Sequence, residues 1–372
     1  MKKIAFLVRD LSKIGGAERV SVNLANALVD YYDVYIISMM HVYGEIPYEI
    51  NPKIQCFYLS ENENYRLRQM VVNFRKDLRN LLKSNFIDEI FLMGIYSGLV
   101  GSLNCFDLKT KVYFCDHGVL ENELNDKQAT LSRKISSVLS NYTIVLTNRS
   151  VEAYKKIFKT PKKKLIQIYN WVEDKVYEFS KDYDIKSNKI ISVGRISHEK
   201  GFDMLVKVAN ELKNVNNNWK WDIYGDGPEF DKIKRKICEY ELQDKVKLKG
   251  QENFIYDKYG GYSMLVLTSY TESFGLVLVE AQVNKLPLVS FDVLTGPAEI
   301  ISDGENGFLV EPFDVKKMSV KINELLENQQ LRIRFSNNAT RNLEKFNKQK
   351  ILKQWIELIE RDNKRRKNEI YK

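Results

Sequence analysis

Residues 2–28 read KKIAFLVRDLSKIGGAERVSVNLANAL, and this stretch decides the fold class. Positions 4–8 are a short apolar run with no polar alternation, as in a strand covered on both faces. The turn Gly15-Gly16-Ala17-Glu18-Arg19 follows, and Val20, Leu24, Ala27 and Leu28 then recur at helical spacing. Strand, glycine turn, helix is the repeating unit of a parallel α/β sheet. Further apolar runs at 34–37, 90–93, 111–115, 143–146 and 165–168 are separated by amphipathic stretches. The rhythm restarts with 190–193, 221–224, 246–248, 264–267, 288–290 and 308–310. The polar span 173–188 reads as the linker between the two series, and from Asp314 onward the pattern is helical only. The closing stretch puts Ile351, Trp355, Ile356 and Ile359 on one face and ends in Lys364-Arg365-Arg366-Lys367. We therefore expect an α/β chain of two doubly wound, Rossmann-like domains, 1–172 and 173–348, facing a central cleft, with 349–372 as a terminal helix. Ligands of such sheets sit at the carboxyl ends of the strands.

Composition narrows the class. At 372 residues each domain is large enough to bury its own core. With 44% hydrophobic and 29% charged residues, a disordered chain is excluded. The longest mostly apolar run, 91–103, is too short for a bilayer and carries glycine and serine. Met1-Lys2-Lys3 leads into only five apolar residues, so no signal peptide is expected. Cys56, Cys105, Cys115 and Cys238 lack Cys-x-x-Cys spacing, which argues against a zinc knuckle and for a reduced, cytoplasmic setting. Of the net charge of +9, seven units fall in residues 1–170. That bias suits a phosphate-bearing or anionic-membrane partner.

Several motifs sit where ligands bind. Gly15 and Gly16 let backbone approach a ligand at a helix start, although the turn is not the G-x-G-x-x-G of nicotinamide sites. Gly194-Arg195 ends a strand and Glu199-Lys200-Gly201 opens the next helix, placing two cations where a diphosphate could bind. A solvated ion pair is the plainer reading of the same residues. Glu272-Ser273-Phe274-Gly275-Leu276 leads into another helix, with Glu280 eight residues after Glu272. The Gly275 and Leu276 amides could hold phosphate. Eight helical residues rise about 12 Å, beyond the carboxylate spacing of glycosidases, so the two glutamates are expected to do separate binding jobs. Glu280 could equally be a partly buried helix glutamate paired with a neighbour. His117 follows the run 111–115 directly. The three histidines show no metal-ligand spacing, and nucleophile-elbow, P-loop and EF-hand motifs are absent.

Together the ordered set resembles a retaining glycosyltransferase of family 4 with the GT-B fold. It comprises Gly15-Gly16-Ala17-Glu18, His117, Gly194-Arg195…Glu199-Lys200-Gly201, Tyr224-Gly225-Asp226-Gly227-Pro228-Glu229, Glu272…Glu280, Gly296-Pro297-Ala298-Glu299 and Asp303-Gly304-Glu305-Asn306-Gly307. The set spans nearly the whole chain. The resemblance implies that Arg195 and Lys200 bind the donor diphosphate, Glu280 the ribose, and Glu272 the transferred sugar. It implies that Phe274, Gly275 and Leu276 line sugar and phosphate, with Gly194 and Gly225 also at the donor. Gly15 and Gly16 would close over the phosphates, and His117 would stabilise the transition state near the reacting carbon. The terminal helix would cross back to the first domain. Thr295 stands where such proteins often carry glycine.

The expected reaction is transfer of a hexose or N-acetylhexosamine from a nucleotide-diphosphate sugar, UDP by family habit, to a saccharide or lipid-linked saccharide in surface-polysaccharide synthesis. No cofactor or metal is expected, with Arg195, Lys200 and helix amides stabilising the leaving diphosphate. Residues 65–83 place Val71, Phe74, Leu78 and Leu81 at helical spacing among six basic residues, and 155–164 is a second basic cluster. A basic amphipathic helix can lie on an anionic bilayer, so peripheral membrane attachment through these two segments is expected. A helix packed on the sheet is the alternative. A nucleotide-sugar epimerase on the same plan and a basic nucleic-acid-binding protein are rival functions. The second lacks any recognisable nucleic-acid motif, and no nucleic-acid partner is expected.

Overall fold

The computed structural model describes residues 1–62, 65–252 and 255–361. The chain divides into two compact units, Met1–Ile168 with Leu352–Lys372, and Tyr169–Ile351. The basic run at 364–367 lies outside the described residues.

The first unit is built on seven strands: β1 (Lys3–Asp10), β2 (Asp33–Met40), β3 (Gln55–Tyr58), β4 (Glu89–Met93), β5 (Lys111–Asp116), β6 (Tyr142–Val145) and β7 (Leu165–Gln167). Their order is β3-β2-β1-β4-β5-β6-β7, and every pairing is parallel. The second has six: β8 (Lys189–Val193), β9 (Lys220–Tyr224), β10 (Val246–Gly250), β11 (Met264–Leu267), β12 (Leu288–Phe291) and β13 (Gly307–Val310). They run β10-β9-β8-β11-β12-β13, again all parallel. In each sheet the first strand lies inside, so the order reverses beside it, at β1/β4 and at β8/β11. Such switch points open a crevice at the carboxyl ends of the strands. The unalternating runs are buried as expected: Ile4 to Leu7 and Ile90 to Leu92 are fully covered.

Three elements depart from the sequence reading. β3, which the sequence reading did not include, has a short apolar run at Cys56–Tyr58, with its two middle residues half-buried and its ends exposed, as suits a short edge strand. The span 173–188 is no loose linker. It holds the helix Asp174–Glu178, the Tyr183 hydroxyl donates to the Ser263 carbonyl at 2.8 Å, and Arg332 donates to the Ile185 carbonyl at 2.9 Å. Residues 65–83 form two helices, Leu67–Asn73 and Arg75–Ser84, hinged at Phe74. Their buried side chains are Leu67, Met70, Phe74, Leu78 and Leu82, packed into the core of the first unit. Covering each is worth about 1.5–3 kcal/mol, against about 1 kcal/mol per basic residue at an anionic surface. The core therefore keeps this apolar face, so it is not the face that would lie in a bilayer, and the exposed Arg66, Arg68, Arg75, Lys76 and Lys83 are what an anionic surface could meet. In the 155–164 cluster, Lys155 pairs with Glu152 at 2.6 Å and Lys164 donates to the Val138 carbonyl at 2.7 Å.

The final helix, Lys348–Ile359, buries Ile351, Trp355, Leu358 and Ile359. From Leu352 it belongs to the first unit, where the Trp355 ring meets Phe91 edge-on at 5.6 Å and Lys2 donates to the Ile359 carbonyl at 2.6 Å. Among the described residues no helix is long and apolar enough to cross a membrane.

Candidate active site

The second unit gathers its site residues at the β8/β11 switch point. β8 runs into Gly194 and Arg195, and a short 3₁₀ turn, His198–Lys200, leads to the helix Phe202–Val215. The Tyr270 amide donates to the Glu199 carbonyl at 2.9 Å, and the His198 ring stacks on Tyr270 at 5.0 Å. These contacts tie the loop after β8 to the loop after β11 and bring Lys200 to Glu272. The Lys200 ammonium donates to Glu272 Oε2 at 2.7 Å, and Ser269 Oγ donates to the same oxygen at 3.3 Å. Glu272 is buried, while the Lys200 side chain is 30% exposed. Arg195 is exposed, and its guanidinium enters no ion pair among the described residues. The carboxyl of Glu199 is held below its usual range, first by the Ser197 hydroxyl and only weakly by Arg195 and Lys200.

The helix Leu276–Val283 starts behind Gly275, whose φ of +91° lies in the left-handed region that favours glycine. No side chain caps this helix, so its first amides are left to a ligand or water. Glu280, on the same helix, is buried and accepts from the Tyr259 hydroxyl at 3.1 Å. The structure thus gives Glu272 and Glu280 different partners. Thr295 is buried, and its hydroxyl donates to the Glu272 carbonyl. A glycine at that position could not supply this anchor.

Two expectations change here. The Phe274 side chain is only 2% exposed and packs against Tyr169 at 5.8 Å and Phe346 at 5.4 Å. It is core, and only its backbone remains to meet a ligand. Gly225 has a packing reason of its own, since a Cβ there would lie 1.9 Å from the Gly194 carbonyl oxygen. Gly194 carries no such constraint: a Cβ on it would find its nearest neighbour, Lys200 Cγ, at 3.8 Å.

In the first unit, the Gly15 amide donates to the Tyr48 hydroxyl at 2.8 Å, and that hydroxyl reaches the Gly15 carbonyl at 3.0 Å. Nothing in the local sequence signals this brace. A Cβ on Gly16 would meet nothing within 4 Å, so the helix start at Gly16 is open on that side. Burial pushes the nearby Glu18 carboxyl up from its usual range.

His117 follows β5 directly, and a buried network that sequence reasoning also missed fixes its turn. Asp116 Oδ2 accepts from Arg133 Nε at 2.8 Å and from the Tyr154 hydroxyl at 2.7 Å, while Oδ1 accepts from the Gly118 amide at 3.0 Å. Arg133 is fully buried and makes two further bonds to Glu123, at 2.9 and 3.1 Å. In the sequence Arg133 is one basic residue in the amphipathic stretch between the runs 111–115 and 143–146, with nothing to mark it as buried. Burial lowers the His117 pKa to about 4, with Asp116 opposing only in part. The ring is therefore neutral at neutral pH. An unfolded chain takes up this proton near pH 6.5 and the folded one only near 4, so this histidine makes the fold lose stability as pH falls through that window. NMR titration should find the His117 ring changing protonation near pH 4. A midpoint at or above the free-histidine value would refute this environment. Among the described residues no group of three or more His, Cys, Asp or Glu is placed to hold a metal ion.

Comparison with known proteins defines the class. Residues 14–176 match the model of "Glycosyltransferase Family 4", and residues 175–342 match "Glycosyl transferases group 1". The chain belongs to this glycosyltransferase family. It is 28% identical to an uncharacterized glycosyltransferase of Haemophilus influenzae, over 95% of this chain and 99% of the relative. It is 27% identical to the amylovoran biosynthesis glycosyltransferase AmsD of Erwinia amylovora, over 96% and 100%. It is also 27% identical to a Campylobacter jejuni enzyme, the GalNAc-alpha-(1->4)-GalNAc-alpha-(1->3)-diNAcBac-PP-undecaprenol alpha-1,4-N-acetyl-D-galactosaminyltransferase, over 96% and 98%. Among solved structures, the sucrose-phosphate synthase of Thermosynechococcus elongatus superimposes with a TM-score of 0.83 at 18% identity, covering 97% of this chain and 99% of that one. Anabaena HepE in complex with UDP and glucose gives 0.80 at 18% identity, over 96% and 99%. The two parallel sheets are those of the GT-B fold. The chain is a glycosyltransferase whose relatives build bacterial polysaccharides, and nothing in the comparisons favours an epimerase or a nucleic-acid-binding protein.

Proposed function

We propose that this glycosyltransferase moves a hexose or N-acetylhexosamine from a UDP-sugar to a saccharide carried on a lipid diphosphate, with retention and without a metal, at the cytoplasmic face of the membrane. The observation that carries the reading is the β8/β11 crevice. It holds an exposed, unpaired Arg195, Lys200 on Glu272, and an uncapped helix start at Gly275. Two cations and a set of amides suit a diphosphate leaving group, whose charge grows as the glycosidic bond breaks. Glu272 would hold sugar hydroxyls and Glu280 the ribose. His117, as a neutral ring, would offer the sugar a hydrogen bond and no charge. In the step itself the C1–O bond to the diphosphate breaks and the acceptor hydroxyl bonds to C1 on the same face. The departing phosphate oxygen takes the hydroxyl proton. The acceptor class follows the Campylobacter relative, whose name places its glycan on PP-undecaprenol.

The test is an incubation with UDP-sugars and a short-chain lipid-diphosphate saccharide, read by NMR at the new anomeric carbon. An α product from an α donor, formed equally in excess chelator, is the expected result. An inverted product or loss of activity with chelator would overturn the mechanism. Isomerised donor without acceptor would point back to an epimerase.

A further inference from the structure

The first unit has its own crevice, at the β1/β4 switch point, and its chemistry is cationic. A cavity of about 700 Å³ is lined there by Arg9, Arg66, Arg68, Gln69, Tyr96 and Gln128, among others. Each comes from the carboxyl edge of the sheet or from a helix start. Arg9 is the penultimate residue of β1, and Tyr96 opens the helix Ile95–Cys105 after β4. Arg66 and Arg68 flank the start of the helix Leu67–Asn73, and Gln128 that of Lys127–Leu139. The half-buried Arg9 guanidinium stacks 4.0 Å from the Tyr96 ring, and its Nε is buried without a hydrogen-bond partner. The Arg66 backbone amide donates to Gln69 Oε1 at 2.8 Å, which holds the Gln69 side chain over the start of that helix.

None of the three arginines enters an ion pair among the described residues, and no described carboxylate lines the cavity. The Glu18 carboxyl, which burial pushes up from its usual range, feels Arg9 but does not line the cavity. The half-buried Arg9 guanidinium, whose Nε lacks a partner, is the group that an anion there would complete, and the exposed Arg66 and Arg68 add positive charge at the same cavity. Planar forks stacked on an aromatic face match phosphate oxygens, and a run of phosphates engages several forks at once. The remaining donors, the Gln69 and Gln128 amides, can serve the same oxygens.

We infer that this cavity is an acceptor subsite that grips the diphosphate joining the saccharide to its carrier, separate from the donor crevice of the second unit. The inference rests on the acceptor class proposed above. Arg66 and Arg68 then select acceptors by the linkage and not by the sugar.

The experiment uses the full chain saturated with UDP, so that the donor crevice is filled, and titrates inorganic pyrophosphate calorimetrically. The protein should bind pyrophosphate, and the Arg66→Gln/Arg68→Gln variant should bind it at least about tenfold more weakly, as expected for two lost charged hydrogen bonds. Both arginines are exposed, so this variant keeps the fold. Absence of binding to the parent chain, or equal binding by the variant, overturns the subsite. In transfer assays the variant should raise KM for a diphosphate-linked saccharide by a similar factor with kcat nearly unchanged. KM for the same saccharide as a phosphate-free glycoside should not move. Equal effects on both acceptors also overturn it. Phosphatidylglycerol vesicles separate the other source of phosphate. A variant that loses vesicle binding but keeps pyrophosphate affinity would assign the arginines to lipid headgroups and sink the subsite. Pyrophosphate binding that depends on the arginines, with no diphosphate-linked saccharide accepted, would support the anion site and refute the acceptor class alone.

Discussion

Lys200→Ala is expected to lower kcat by about 10²–10³-fold, the range seen when one preorganised donor to a developing anion is removed. It should also lower stability, because Glu272 is buried and Lys200 is its ion-pair partner at 2.7 Å. The stability loss should be about 1–3 kcal/mol, the cost of one unsatisfied buried group, and partial exposure of the lysine keeps it toward the low end. These two effects have different causes, and a second substitution separates them. Adding Glu272→Gln removes the stranded charge, so the double variant should regain the lost stability while turnover stays low. If activity returned with stability, Lys200 would be no more than the counter-ion of Glu272. Arg195→Ala gives the clean contrast. Its side chain is exposed and unpaired, so turnover should fall on the same scale with no change in unfolding temperature. Full activity in both single variants would remove the diphosphate role altogether.

The residues that experiment changes were legible in the sequence, and for a topological reason. Gly15-Gly16, His117, Gly194-Arg195, Lys200 and Glu272 all follow strands closely, and a parallel sheet sends every strand's carboxyl end to the same edge. Local spacing therefore carried their address. Contacts between distant segments carried none. The Tyr48 brace on Gly15 spans 33 residues, and the Thr295 hydroxyl reaches the Glu272 carbonyl across 23. Phe274 was illegible for the same reason. A phenylalanine beside a glycine turn suggests a wall for a sugar, and only the rings of Tyr169 and Phe346 reveal that it is enclosed.

The segment 65–83 failed differently. Its apolar residues form two overlapping stripes, Val71-Phe74-Leu78-Leu81 and Met70-Phe74-Leu78-Leu82. The second is the one fully buried. Both share Phe74 and Leu78, so spacing alone could not choose between them. Nor could it decide between a bilayer and a protein core as the apolar partner. β3 escaped although Cys56, Phe57 and Tyr58 are consecutive apolar residues, because so short a run, half-buried at a sheet edge, is not distinguished from a loop by pattern alone.

The largest effect on stability is expected from Asp116→Ala. It leaves Arg133, a fully buried cation, with Glu123 as its remaining carboxylate, and Glu123 is itself 38% exposed. Removing one partner of a buried pair typically costs about 3–5 kcal/mol. The loss should show as earlier denaturant unfolding and faster hydrogen exchange in the β5 and β6 amides, with the amides of β8–β13 unaffected. Burial, the largest cause that pushes the Tyr154 phenol far above its usual range, persists without Asp116, so the phenol remains a donor and cannot take over as the anion. Buried pairs replaced whole by apolar side chains are often no less stable than the pair. Asp116→Ala/Arg133→Met should therefore recover most of the stability. Turnover should not recover with it, because the double variant still lacks the carboxylate that holds the Gly118 amide and the turn carrying His117. A Cβ on Gly118 would lie 2.1 Å from Arg133 Nη2, which shows how closely the guanidinium supports that turn. If the double variant regained full activity, the network would be a stabilising device alone. If Asp116→Ala unfolded at the same denaturant concentration as the parent, the buried pair would not even be that.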